Sequence, residues 1–269
     1  MLFHGRAVAK SDTAILSVTG ILRENPVSAD DFPLAALPAP SMMSHRTQRR
    51  QGGTEMGATA VEAWDERWAT SEGRADWLLP DPAVAGLVPV LKARGARHVL
   101  DLGCGVGRHA LLFAEHGFAV EAIDGAAAGI DFARREAAAR GLPLSLRQAD
   151  ADALPFADRS FDYVLSWNVI FHGTLGDVGR RLAEIWRVLK PGGLYQGTML
   201  SQRDTQFGHG VPVAPNTFIR GSDPKAHPHY YCDLPGLAAL FAGFDLLSLT
   251  HEEQRRPGSW HWHILAERL

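Results

Sequence analysis

The spacing of hydrophobic and polar positions changes along the chain, and the changes mark out its elements. Val61, Trp64 and Trp68 fall on one helical face at i, i+3 and i+7, with Glu62, Asp65 and Glu66 elsewhere on it. Trp77-Leu78-Leu79-Pro80 follows, and a helix is predicted from about Pro82 to Ala93, with proline near its first turn. His98 to Leu102 is a short apolar run, a strand closed by three alternating glycines at Gly103, Gly105 and Gly107. An apolar helical stretch runs from His109 to about His116, Gly117 stops it, and Phe118 to Ile123 reads as a second strand ending at Asp124. Ile130 to Arg140 is an alanine-rich helix, Leu144 to Arg147 a third strand and Phe161 to Trp167 a fourth. Leu175 to Leu189 is an amphipathic helix with Leu182, Ile185 and Leu189 on one face, and Leu194 to Leu200 is a fifth strand. Strands separated by helices of this length imply right-handed crossovers and a parallel sheet covered on both faces.

The two ends of the chain depart from this alternation. Residues 1–55 show little period outside Thr13 to Leu22, and Pro26, Pro33, Pro38 and Pro40 interrupt them. They are expected to be a disordered extension, with Met56 a candidate translation start and residues 56–269 the folded domain. Ser201 to about Tyr231 lacks a clear period and reads as an excursion on the substrate side of the sheet. Leu234 to Phe241 is a short helix, and Phe244 to Thr250 with Trp260 to Glu267 forms an antiparallel hairpin at the sheet edge. The fold class is therefore α/β, a three-layer sandwich around a mostly parallel seven-stranded sheet.

Bulk properties narrow the function by exclusion. A net charge of -3 carries no electrostatic footprint for nucleic acid or for an anionic membrane surface. Two cysteines, Cys104 and Cys232, cannot build a disulfide framework, and no apolar run approaches the roughly 20 residues that span a bilayer. No secretory leader pattern opens the chain, so the expected localisation is cytoplasmic.

Strand, glycine turn, helix, strand and acid make a nucleotide-binding unit, and two details narrow the nucleotide. A dinucleotide fingerprint sets its third glycine three residues after the second, whereas Gly107 follows Gly105 by two and Arg108 takes the expected place. Asp101, just before the first glycine, would repel a pyrophosphate but suits an ammonium group. Cys104, inside the turn, reads as packing. Trp64 and Trp68 leave two readings open: anchors of their helix to the core, or an aromatic cover over a ligand, a cationic one among the options.

At this point the chain resembles the class I S-adenosylmethionine-dependent methyltransferases. The resemblance is carried by VLDLGCGVGRHALLFAEHGFAVEAID, DADALPFADRSFDYVLSWNVIFH and LAEIWRVLKPGG, in that order, and covers roughly residues 60 to 200. It implies a Rossmann-like fold and S-adenosyl-L-methionine as cofactor. Residue by residue, it implies that Gly103 and Gly105 let the methionine half approach, with Asp101 near its amino group. Asp124 would accept from both ribose hydroxyls, Asp150 would take the adenine amino group, and the Ala151 backbone would lie beside the ring. Trp167 and Asn168 would line the methyl end. Arg108 is equally suited to the carboxylate, to the helix start or to solvent.

The acceptor side is less legible. His172 follows strand four and is a candidate general base or acceptor contact, and His229 and Tyr230 are candidate substrate contacts within His227-Pro228-His229-Tyr230-Tyr231. No metal is expected: the pairs His227/His229 and His261/His263, with Cys232 and Asp233 nearby, read as polar positions sharing a strand face. The expected activity is methyl transfer to a small-molecule nucleophile by in-line displacement, with no nucleic-acid or membrane partner and the oligomeric state unassigned. Two alternatives stand beside it, a non-catalytic cofactor- or partner-binding module and, more remotely, a nicotinamide-dependent oxidoreductase.

Overall fold

The computed structural model describes residues 15–16, 54–221 and 225–269. The expectation of a disordered 1–55 extension thus falls almost wholly outside the described residues.

Strands β2 (His98–Leu102), β3 (Ala119–Asp124), β4 (Ser145–Gln148), β5 (Phe161–Ser166) and β6 (Leu189–Ser201) are parallel to their neighbours, in the order β6-β5-β2-β3-β4. β10 (Phe244–Glu253) and β11 (Trp260–Arg268) extend this sheet on the β6 side as the predicted antiparallel hairpin, β11 lying against β6. These are the seven strands that the periodicity marks. β1 (Ile15–Leu16) adds a short antiparallel pairing outside β10, with Ile15 opposite Thr250.

Helices cover both faces. α5 (Arg108–Glu115) and α6 (Ala127–Ala139) are the crossovers from β2 to β3 and from β3 to β4. α7 (Leu175–Val188) connects β5 to β6, and α8 (Leu234–Leu240) precedes the hairpin. Val178, Leu182 and Ile185 of α7 pack with Leu237 of α8 on one face; Phe113 of α5 and Ile130 of α6 pack with Val88 and Leu91 on the other. Each such side chain contributes roughly 1.5–3 kcal/mol by leaving water, so the sandwich rests on two apolar layers with the sheet between them. α7 begins at a capping box, where Thr174 and Asp177 exchange hydrogen bonds between side chain and backbone.

Two elements differ from the sequence reading. The helix expected from Pro82 to Ala93 is two, α3 (Pro82–Ala85) and α4 (Val88–Ala93). Pro89 has no N–H to donate and Gly86 weakens the helix before it, so the ladder breaks between them. The aperiodic excursion contains β7 (Val211–Ala214), β8 (Thr217–Ile219) and β9 (Pro228–Cys232), an antiparallel set that joins the main sheet where β9 runs parallel to β6 at Leu200 and Tyr231. The segment around these short strands is interrupted by proline and glycine, and they lack the apolar runs that mark β2 and β5.

N-terminal to the sheet, α1 (Thr54–Ala69) and the short α2 (Ser71–Arg74) lead into a 3-10 turn at Ala75–Trp77. α1 packs chiefly on α6, across the ends of the parallel strands.

Candidate functional site

A cavity of about 910 Å³ opens at the carboxyl ends of the parallel strands. Leu102, Ile123 and Trp167 mark the ends of β2, β3 and β5 on its floor, and Val61, Trp64 and Trp68 of α1 lie along its upper wall. Such crevices outside the carboxyl ends of strands are where open α/β sheets receive ligands.

The glycine turn forms one wall. Gly103 (φ 70°) and Gly105 (φ 53°) adopt the left-handed backbone that side chains disfavour. A Cβ on Gly103 would lie 2.5 Å from both Val169 methyl carbons, and one on Gly105 would lie 3.0 Å from Trp68 Cζ2. The close approach these glycines permit is therefore that of Val169 and Trp68, and both of those residues line the cavity. Cys104 between them is buried, its thiol held well above its usual pKa by burial, and it packs.

The acids stand around this turn. Asp124 is half-buried and on the wall; its Oδ2 accepts from Gly105 N–H at 2.7 Å and its Oδ1 from Ala126 N–H at 2.8 Å. Burial raises its pKa against those two hydrogen bonds. Each carboxylate oxygen keeps a lone pair for a further donor. Asp150 and Ala151 line the cavity beyond β4, with Asp150 Oδ1 accepting from Asp152 N–H at 2.9 Å. Asp101 is 1% exposed and lies beneath the wall rather than on it; its Oδ2 has no hydrogen-bond partner among the described residues. Burial pushes its pKa up to about 7, against the nearby charge of Arg108.

Arg108 takes an intermediate course among those left open for it. It lines the cavity, donates from Nη1 to the Leu79 carbonyl at 3.1 Å, and sets its guanidinium 5.3 Å from the centre of the Trp77 ring. Burial lowers its pKa to about 10. Trp167 and Asn168 both line the cavity. The Trp167 Nε1 is buried and without a partner among the described residues. Asn168 has φ 63°, a left-handed conformation uncommon outside glycine, fixed by Thr198, whose Oγ1 accepts from Asn168 N–H and donates to its Oδ1, both at 2.9 Å.

The opposite end is aromatic and histidine-rich. Trp64 stacks on Trp68 at 5.0 Å between centroids and meets Trp77 edge-on at 5.6 Å. The two sequence readings of this face divide between its residues: Trp68 is wedged against Gly105 and Gly129 and anchors α1, while Trp64 faces His172 at 5.7 Å. His172 and His227 line the cavity, with His227 Nε2 3.0 Å from His172 Nδ1. His229 stacks on His227 at 4.7 Å from behind. Burial, reinforced by neighbouring charges, holds His172 well below its usual pKa and takes His229 to about 3. Tyr230 is not on the cavity wall. Successive side chains of a strand point to opposite faces, and Tyr230 lies buried in the core cluster that includes Phe241 and Trp262.

The sequence reading missed Trp77, Val169 and Arg181, and left His227 outside its candidates. The signal for His227 was present: it shares a strand face with His229 at a spacing of two. Arg181 donates from Nε to Asp152 Oδ1 at 2.6 Å and from Nη1 to the Ile170 carbonyl at 3.2 Å, tying α7 to the loop after β5. Lys225 of the excursion pairs with Glu66 of α1.

A family model described as a methyltransferase domain matches residues 99–193. The chain is 29% identical over 201 residues to a glycine/sarcosine N-methyltransferase of Aphanothece halophytica, a match that covers 71% of this chain and 70% of that protein. Among solved structures, a 1,6-didemethyltoxoflavin-N1-methyltransferase of Burkholderia thailandensis superposes with a TM-score of 0.61 at 19% identity, over 83% of this chain and 93% of that one. A methyltransferase from Methanosarcina mazei does so with a TM-score of 0.60 at 21% identity, over 71% and 99%. At these identities the two structures bear on the fold alone. No helix among the described residues is long and apolar enough to cross a membrane.

Proposed function

Because the chain belongs to the class I S-adenosylmethionine-dependent methyltransferases and uses S-adenosylmethionine as its methyl donor, we propose that its acceptor is a small molecule bound at the histidine end of the cavity. The observation that carries this is the cavity's volume. About 910 Å³ lies at the upper end of the roughly 300–1,000 Å³ range of small-ligand sites. That leaves room for a nucleoside-sized cofactor and a modest second molecule. α1 and the segment before β9 both contribute to its wall, and the Glu66–Lys225 ion pair joins them at the surface.

The donor set suits the cofactor. Asp124 and Asp150 offer carboxylates for a vicinal diol and an exocyclic amine, and Arg108 offers a cation for a carboxylate. The orphaned Asp101 Oδ2 supplies negative charge beneath the turn, where an ammonium group would be favoured. The unpartnered Trp167 Nε1 and Asn168 stand beside the strand-five end, where we place the methyl group. When bound, S-adenosylmethionine supplies a methyl group on a sulfonium, a carbon already activated toward nucleophiles.

What the chain must add is orientation, which in well-aligned intramolecular reactions is worth effective molarities on the order of 10⁵–10⁸ M. We assign that work to Trp64, Trp77, His172 and His227, whose rings form a chain of contacts along the cavity wall. His172 contacts the acceptor there. His229 acts through His227, and Tyr230 has a structural place only. The N-methyltransferase relative makes an amine one acceptor to try, beside oxygen, sulfur and carbon nucleophiles.

S-adenosylhomocysteine is expected to raise the Tm, NAD(P) is not, and Asp124→Ala is expected to abolish the shift. Asp124 also holds Gly105 and Ala126, so the variant's own Tm must be recorded without ligand. An unchanged ligand shift in Asp124→Ala would sink the ribose assignment. Turnover of a polymeric acceptor with none on small-molecule panels would sink the acceptor assignment.

A further inference from the structure

We propose that His172, His227 and His229 form a binding site for one divalent transition-metal ion of the zinc class, set into the acceptor end of the cavity. The three side chains are brought together by the isolated bridge between His172 and His229, which joins the loop after β5 to β9. Each offers a ring nitrogen within 4.8 Å of the other two.

The far nitrogen of each ring has a backbone carbonyl beside it. His172 Nε2 lies 3.2 Å from the Asn168 carbonyl, His227 Nδ1 3.3 Å from the Lys225 carbonyl, and His229 Nδ1 3.0 Å from the His227 carbonyl. A carbonyl oxygen only accepts, so the tautomer that donates to all three carbonyls turns His172 Nδ1, His227 Nε2 and His229 Nε2 into the available ligand atoms. His172 Nδ1 and His227 Nε2 lie within hydrogen-bond distance at 3.0 Å, so in the metal-free protein one ring carries the proton between them and a metal ion would displace it. A ring that donates its far N–H to a backbone carbonyl is also the usual outer arrangement of a metal-binding histidine.

The dimensions agree with a metal. Zinc takes imidazole nitrogens at about 2.0–2.1 Å in tetrahedral geometry, which sets the nitrogens about 3.3 Å apart. The His172–His227 pair, at 3.0 Å, is within about 0.3 Å of that spacing, and the third nitrogen needs to move by no more than about 1.5 Å. The charged side chains nearest the cluster are Arg181, which donates to the His172 carbonyl, and Arg220, beside His227 and His229.

Three imidazole ligands leave a fourth position, the pattern of catalytic rather than structural zinc. His172 and His227 are on the cavity wall, so a cavity-bound molecule reaches that position. This consequence rests on the methyl-transfer reading, whereas the ligand set does not. The acceptor class it names is a small molecule with a hydroxyl or thiol. On binding, the metal–oxygen or metal–sulfur bond forms, the O–H or S–H proton passes to water, and the anion keeps a further lone pair. That pair then forms the bond to the methyl carbon as the carbon–sulfur bond of the sulfonium breaks and its electrons return to sulfur.

The test is zinc stoichiometry on the full chain, dialysed against Zn²⁺ and read by elemental analysis. The visible absorption of a Co²⁺-substituted sample reports the coordination number. One zinc per chain and a four-coordinate cobalt spectrum are expected. His229→Gln and His227→Gln should each weaken zinc binding by more than about 100-fold, beyond the 10–100-fold that loss of an outer partner costs. The S-adenosylhomocysteine thermal shift, measured on the same samples, should survive His229→Gln. Zinc absent from wild-type protein that still responds to S-adenosylhomocysteine would overturn the proposal, as would zinc bound equally by both variants. Zinc bound to wild type and lost from the variants, with no response to S-adenosylhomocysteine, would leave the metal site standing and remove the acceptor chemistry built on it.

Discussion

The two ends of the cavity are built in opposite ways. The donor end comes from one strand–turn–helix–strand unit and the strand beyond it: Gly103, Gly105 and Asp124 lie within it, and Asp150 follows β4. Its groups are held by backbone hydrogen bonds, as Asp124 is by Gly105 and Ala126. The acceptor end takes Trp64 from α1, His172 from the loop after β5 and His227 from the excursion, segments distant in the chain that meet through ring contacts, a histidine pair and the His172–His229 backbone bridge. A lesion at the first end should therefore damage the fold and cofactor binding together. At the second it should damage the use of the acceptor alone.

The largest expected effect tests the coupling at the donor end. Gly103→Ala places a Cβ 2.5 Å from both Val169 methyls on a backbone with φ 70°. Left-handed backbone costs a side-chain residue roughly 1–2 kcal/mol and overpacking roughly 1–3, so urea unfolding should show a loss of about 2–5 kcal/mol. Adding Val169→Ala should relieve the overpacking but not the backbone cost. If Gly103→Ala unfolds at the wild-type midpoint, the turn is not the rigid element described here.

This contrast also explains what the sequence disclosed. The donor end was legible because its residues are neighbours along the chain, and the glycine spacing with the acid before it had few alternatives. The five parallel strands and the terminal hairpin were legible for the same local reason. Even so, the reason for the glycines was not: Gly103 and Gly105 make room for Val169 and Trp68, which only the folded chain brings to them. His172 and His227 are 55 residues apart, and no pattern in either neighbourhood predicts their contact. The bridge that brings them together pairs His172 with His229 of β9, a strand inside a segment that shows no clear period. Tyr230 shows the same limit, since adjacency to His229 suggested a shared role, while strand alternation sends the two side chains to opposite faces.

An intermediate effect concerns Asp101. Its pKa is raised from 3.8 to about 7, so the folded state binds a proton more tightly than the unfolded one. The associated stability is fully present below pH 3.8 and is lost as pH rises toward 7, a change on the order of 4 kcal/mol at about 1.36 kcal/mol per pKa unit. Asp101→Asn should remove that fall from the unfolding free energy measured between pH 4 and pH 7.5. If the carboxylate also favours the cofactor's ammonium group, S-adenosylhomocysteine should stabilise wild type more than the variant above pH 7. Parallel stability curves for the two proteins would mean that Asp101 is ionised and compensated in the fold.

The smallest expected effect is the sharpest test of the comparison, because it asks for separation of function and not for damage. Trp64 touches Trp68, Trp77 and His172 but makes none of the hydrogen bonds that hold the donor end. Aromatic pairs of this kind contribute roughly 0.5–1.5 kcal/mol beyond the area they bury. Trp64→Leu keeps an apolar side chain over the cavity and removes the ring face presented to His172. It should raise the KM for the acceptor by about 3- to 10-fold, as a loss of about 0.7–1.4 kcal/mol implies, while the S-adenosylhomocysteine shift stays within error of wild type. Steady-state kinetics with each substrate varied in turn reads both quantities. Were the loss to fall on the cofactor's KM instead, Trp64 would belong to the donor end, and the boundary between the two regions would have to move to the His172–His227 pair.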